Sequence, residues 1–125
     1  MTAGQPRILL GNLKPILRLG FLATLTEAGM DVVGQEQRPH RIISEAERLQ
    51  PDVVVLDRDD DQSRTLSERV RGASPNTKVI LWARDETVIE VLDPGSRTPR
   101  TVHASVPRDL LSELASSSAE HLVEE

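Results

Sequence analysis

The run Val53-Val54-Val55-Leu56, entered through Pro51-Asp52 and left at Asp57, is the stretch that most restricts the fold. Four branched or aliphatic residues without polar alternation give a strand with apolar side chains on both faces, and such a strand belongs in the middle of a sheet covered on both sides. Its carboxyl end carries Asp57, followed closely by Asp59, Asp60 and Asp61. In open α/β sheets, ligands and chemistry collect in the crevice beyond the carboxyl ends of the strands, which makes Asp57 the first candidate for function.

The segments around this run alternate in period. Arg7-Ile8-Leu9-Leu10 reads as a first buried strand ending in a turn at Gly11-Asn12. From Pro15 the apolar residues Ile16, Leu17, Leu19, Phe21, Leu22 and Leu25 recur at helical spacing up to Gly29, with proline at the first turn and glycine at the C-cap. Asp31-Val32-Val33-Gly34 predicts a second strand, and Ile42, Ile43, Ala46 and Leu49 mark a second helix that stops before Pro51. Leu66 and Val70 carry a short polar third helix ending near Gly72, and Lys78-Val79-Ile80-Leu81-Trp82 is a further buried strand. Residues 86–92 are expected as a short helix broken by Asp93-Pro94-Gly95. Thr101-Val102-His103-Ala104 gives a weak fifth strand, and Pro107 opens a last helix on Leu110, Leu111 and Leu114. The expected architecture is α/β, a five-stranded parallel sheet in a doubly wound (βα)5 sandwich of flavodoxin-like order. Residues 1–116 form the domain, and 117–125 a frayed tail or linker to a missing output domain.

Several function classes fall away. The chain has no cysteine, so a thiolate metal site or disulfide framework is excluded. No stretch approaches the roughly 20 apolar residues of a membrane helix, and the amino terminus lacks the layout of a signal peptide. A cytoplasmic protein without membrane contact is the expectation. The net charge of -5 argues against a nucleic-acid footprint.

In four blocks the chain resembles the receiver domain of bacterial response regulators, closest to the type joined to LuxR/NarL-like helix-turn-helix domains. These are Arg7-Ile8-Leu9-Leu10 with Pro15 and Arg18-Leu19-Gly20-Phe21; Glu27-Ala28-Gly29-Met30-Asp31-Val32-Val33-Gly34; Pro51 to Asp57; and Val106-Pro107-Arg108-Asp109-Leu110-Leu111. The first and third are the more specific. The resemblance implies that Asp57 occupies the phospho-acceptor position. It also implies an acidic pair after the first strand to hold Mg²⁺, where this chain has Asn12 and Leu13. The family's hydroxyl residue at the end of the fourth strand is matched by Trp82, its lysine at the end of the fifth by His103, and its aromatic switch position by Arg100. Packing positions thus survive while the pocket is degenerate, which describes a pseudo-receiver. A phosphoryl group on Asp57 would stand beside Asp59 with no facing lysine and a weakened Mg²⁺ site, and like-charge crowding opposes the reaction. No resident cofactor is expected.

Each pocket residue has a plainer reading. Asp57 can cap the next turn, the aspartate run can be solvated or hold a cation, His103 can be a hydrogen-bonded or pH-sensitive group, and Trp82 can plug the emptied crevice. Lys14 stands where its ammonium can reach Asp57 in place of a bound cation, in which case Lys14→Ala costs more stability than Lys78→Ala. Asp57-Arg58-Asp59 after an apolar strand also resembles the motif of haloacid-dehalogenase-type phosphatases. Those enzymes carry it on their first strand and draw a lysine from later ones, and this chain has none after Lys78. The expectation is a non-enzymatic signalling domain acting in transcription through homodimerisation or docking to a partner protein, with Leu19, Leu22 or Val88 at the interface. Arg97, Arg100 and Arg108 can form a partner patch or be scattered surface charge. DNA contact is expected only through a C-terminal domain absent from this sequence. The alternatives are a small-ligand sensor using the crevice over Asn12, Asp57, Trp82 and His103, and a working phospho-acceptor receiver.

Overall fold

In the computed structural model, which describes residues 5–83, 88–103 and 111–115, β3 (Val53–Asp57) is buried along its whole length. It lies between β1 (Arg7–Leu10) and β4 (Lys78–Trp82), parallel to both. β2 (Asp31–Gln35) extends the parallel sheet beyond β1. The crossovers are α1 (Pro15–Glu27), α2 (Pro39–Leu49) and α3 (Ser63–Ala73). α1 starts with its proline at N1 and ends at Gly29, whose φ of +79° allows the Met30 N–H to reach back to the Leu25 carbonyl at 2.9 Å.

Strand alternation divides the core. Ile8, Leu10, Val53, Val55, Ile80 and Trp82 meet Phe21 and Leu25 of α1 on one face. Leu9, Val54, Leu56, Val79 and Leu81 meet Ile42 and Ala46 of α2 and Leu66 and Val70 of α3 on the other. The sheet is therefore covered on both sides, as the unalternating β3 requires.

Beyond β4 the chain departs from the expected five parallel strands. Residues Val88–Leu92, expected within a helix, form β5, antiparallel to β4, and β6 (Arg100–His103) is antiparallel to β5. The result is a mixed six-stranded sheet in the order β2-β1-β3-β4-β5-β6. The physical reason lies in period two. Ile89 and Val91 enter the α1 core, while Glu90, between them, turns to the opposite face and pairs with Arg58 at 3.5 Å and Arg64 at 3.3 Å. A helix would have satisfied neither set. α4 (Leu111–Ala115) follows, with Leu111 and Leu114 against the α1 face. Ala104, Glu86, the Pro107 and Leu110 start of the last helix, Arg108 and the tail from residue 116 lie outside the described residues.

At the amino-terminal end of β4, Lys78 is 2% exposed and its Nζ donates to the Glu113 carbonyl at 3.0 Å and to Glu113 Oε2 at 3.1 Å. Arg100 of β6 joins the same carboxylate and also grips Asp93, Nε to Oδ2 at 2.5 Å and Nη2 to Oδ1 at 3.0 Å. α4 is thus fastened to the sheet by a shared carboxylate as well as by its two leucines. Burial opposes ionisation of Glu113, but hydrogen bonds from Arg100 and Lys78 outweigh it and hold its pKa below the ordinary 4.5. Because the folded-state value is the lower one, this stabilisation is complete above about pH 4.5 and is lost as pH falls through the folded pKa. Urea titrations should show Glu113→Gln less stable than the parent at neutral pH, with the gap closing below about pH 4.5. At neutral pH, Lys78→Ala should cost about 3 kcal/mol, the usual result of removing one partner of a buried pair.

Candidate functional site

The end of β1 comes unusually close to β3. A Cβ on Gly11 would stand 2.4 Å from Leu56 Cδ2, and the Gly11 N–H donates to the Val55 carbonyl at 2.8 Å. A larger residue there would push the buried Leu56 side chain aside and crowd the Val55 carbonyl, 3.1 Å from the added carbon, and the close approach delivers Asn12 to the end of β3. There the Asn12 side chain uses both its ends. Oδ1 accepts the Asp57 N–H at 3.0 Å, and Nδ2 donates to Asp60 Oδ2 at 3.0 Å and to Ser63 Oγ at 3.1 Å. Ser63, the first residue of α3, in turn donates its hydroxyl to the Asp57 carbonyl at 2.5 Å. One amide therefore ties β1, the end of β3, the aspartate turn and the start of α3.

Asp57 is 7% exposed. Its Oδ1 accepts the Asp59 N–H at 2.9 Å, and Oδ2 lies 3.8 Å from Lys14 Nζ. The carboxylate thus closes its own turn while facing an ammonium. Lys14 is 60% exposed, so the pair is solvent-screened. Asn12, Leu13, Lys14, Asp57, Asp59 and Asp60 line an open cleft of about 340 Å³ together with Pro15 and Gln37. The Leu13 side chain is wholly buried in the α1 core, and its carbonyl accepts from Gln37 Nε2 at 2.9 Å.

Of the seven residues expected around one pocket, Asn12, Leu13, Lys14, Asp57 and Asp59 come together, whereas Trp82 and His103 do not line the cleft. Trp82 pairs in register with Asp57, yet its ring packs edge-on against Phe21 with centroids 5.1 Å apart, inside the core rather than plugging the crevice. Its Nε1 is buried and has no hydrogen-bond partner among the described residues. His103 is exposed at the end of β6. The insertion of β5 puts β6 three strand spacings from β3, about 14 Å, too far to face Asp57. Arg100 stands at the opposite end of the sheet in the Glu113 network.

Sequence reasoning missed Ser63, Gln37 and the buried Lys78. A serine opening a helix six residues after the aspartate was the available signal for the first. A larger open groove of about 490 Å³ between α2 and α3, lined by His40, Ile43, Leu66 and Arg69 among others, contains none of the expected site residues.

No family model matches the chain. It is 31% identical over 86 residues to the response regulator protein VraR of Staphylococcus saprophyticus, an alignment covering 64% of this chain and 41% of that protein. The anti-anti-sigma factor PhyR of Bartonella quintana, solved in complex with the anti-sigma factor NepR, superposes with a TM-score of 0.55 at 12% identity, over 97% of this chain and 48% of that one. The chain spans less than half the length of either. The first likeness is a weak homology to a response regulator, and the second is a likeness of fold. No helix among the described residues is long and apolar enough to cross a membrane.

The order of the lysines reverses the sequence expectation. Lys14→Ala should cost under about 1 kcal/mol, the range of an exposed ion pair, and therefore less than Lys78→Ala in the same urea titration. Asn12→Asp would replace the Nδ2 donor with an oxygen facing the Asp60 carboxylate, whose Oδ2 is 3.0 Å away. That variant should melt lower than the parent in chelator and recover with millimolar Mg²⁺, whereas the parent should respond little to the ion.

Proposed function

We propose that the chain is a receiver-like signalling domain whose phosphoryl-transfer site has been dismantled, so that it works by docking to protein. The observation that carries this reading is the hydrogen-bonding of Asn12. A carboxylate in that place would contribute negative oxygen to a cation; the amide instead donates to Asp60 and Ser63 and accepts from the Asp57 backbone, so the cleft is tied together by the hydrogen bonds of an uncharged side chain. Leu13 offers the cleft no ligand atom from its side chain, and Lys14 already places positive charge on Asp57. Those features support a site balanced without Mg²⁺ or phosphate.

The homology to VraR and the fold likeness to PhyR support a role in signalling. PhyR in complex with NepR is an instance of such a fold engaging a protein partner, and on this reading the present chain does the same, as a homodimer or with another protein. We assign it no catalysis: Lys78, the last lysine in the chain, is buried at the amino-terminal end of β4 remote from Asp57, so the phosphatase motif lacks the lysine that a later strand would bring to it. We likewise assign DNA contact and any regulation of transcription to segments other than this acidic domain. A ligand sensor built over Trp82 and His103 finds no support in a cleft that neither residue lines.

Amide NMR spectra with Mg²⁺ alone and then with beryllofluoride, a phosphoryl mimic, test the reading. We expect no shifts beyond those of weak surface binding. Shifts spreading from Asp57 through the cleft to β4 would establish a working phospho-acceptor and overturn it.

A further inference from the structure

Ile16 and Leu19 are the two large hydrophobic residues that α1 leaves in solvent, 74% and 62% exposed. At 3.6 residues per turn they share one side of the helix with Gly20 and Ala23, opposite the buried Phe21 and Leu25. Gly20 is unexplained by any contact among the described residues. It sits mid-helix, where glycine weakens a helix relative to alanine, and a Cβ added there would meet none of their atoms within 4 Å. A residue whose missing side chain serves no internal contact leaves room for something outside.

The spacing says what that something is. In an antiparallel pair of identical helices, residues whose numbers have a constant sum lie opposite one another. Ile16 with Ala23 and Leu19 with Gly20 share one sum, so a single two-fold axis between Leu19 and Gly20 places both large side chains of each copy over both small ones of the other. Charge agrees with this register. Glu27, exposed at the end of α1, opposes the dipole of its own helix, whose last turn carries no basic residue. In the antiparallel pair it lies beside the positive amino-terminal end of the second helix.

We propose that the outer face of α1 is a self-complementary seam on which two copies of this chain pair antiparallel, Leu19 over Gly20 and Ile16 over Ala23. This deepens the docking reading above and rests on it, naming a second copy as the partner. A single helix pair buries less than the roughly 1,600 Å² of a standard interface, so the dimer is weak and concentration-dependent.

Sedimentation equilibrium of the 125-residue chain, up to about millimolar concentration, should show a reversible monomer–dimer equilibrium. Gly20→Leu should raise its dissociation constant at least about tenfold. Gly20→Ala should raise the melting temperature of the monomer while weakening the dimer, a split that loss of fold would not produce. The natural absence of cysteine allows cross-linking with single introduced thiols. Gly20→Cys lies next to the axis and should form a disulfide dimer. Thr26→Cys should not, since its two copies stand about 20 Å apart along the helices. A monomer at every concentration, or equal cross-linking at both positions, would overturn the seam. So would a dimer indifferent to Gly20→Leu, which would move docking to another face and leave the broader reading intact. Failure of that reading would appear separately, as a response to beryllofluoride.

Discussion

Burial of β3 on both faces is the constraint from which the rest of the structure follows. Val53 and Val55 need a cover on one side, Val54 and Leu56 on the other. A strand in that position needs paired neighbours as well, since unpaired backbone groups in a dry interior are costly. β1 and β4 supply the pairing, and α1, α2 and α3 the cover. Asp57 is then carried to the point where the apolar sandwich ends, its backbone still in the sheet and its carboxylate at the lip of the cleft. The polar cluster there is satisfied by short-range partners: Asp59, Asn12 and Ser63 take up the hydrogen-bonding capacity that a buried carboxylate turn exposes.

How much of this was legible depended on whether the deciding contacts were local. The central strands declare themselves as branched apolar runs, and α1 and α2 are bounded by prolines at their first turns and by left-handed residues after their last. Asp57, Asn12 and Lys14 could be placed together because each follows a strand end by zero to four residues. Val88–Leu92 could not be decided in this way. Five residues with one glutamate fit a helical turn or a strand, and the choice rests on pairing with β4 and on Arg58 and Arg64, twenty-six or more residues upstream of Glu90. One wrong element then displaced another. With β5 inside the sheet, His103 moves a strand further from Asp57, so the pocket expected to hold it does not.

Lys78 shows the same limit in electrostatic form. A lysine at the head of an apolar strand reads as the solvated end of that strand. Its burial is made tolerable by Glu113, thirty-five residues later, and by the Arg100 that shares the carboxylate. A buried cation is a signal only when its counter-ion is known, and the partner here lies on an element of five residues that composition alone would not rank as structural.

The two ends of the sheet also explain why a switch would be hard to operate. The receiver resemblance gives Arg100 the position of a mobile aromatic side chain, one that changes place when charge arrives at the aspartate. In this chain the position holds a guanidinium bound to Asp93 and Glu113 together, and those bonds raise its pKa further above the ordinary arginine value. Moving it means giving up a two-pronged grip on Asp93 and the shared hold on Glu113, bonds that solvent weakens to about 1 kcal/mol or less each because the Arg100 side chain is 42% exposed. Driving a two-state equilibrium from one side to the other takes about 5.5 kcal/mol of differential binding in total. A phosphoryl group at Asp57 would have to supply that through a sheet whose intervening residues, Val79 to Trp82, are close-packed and apolar. The same bonds that fasten α4 therefore oppose movement at the far end of the domain, which is what the proposed docking role, working without a switch, requires.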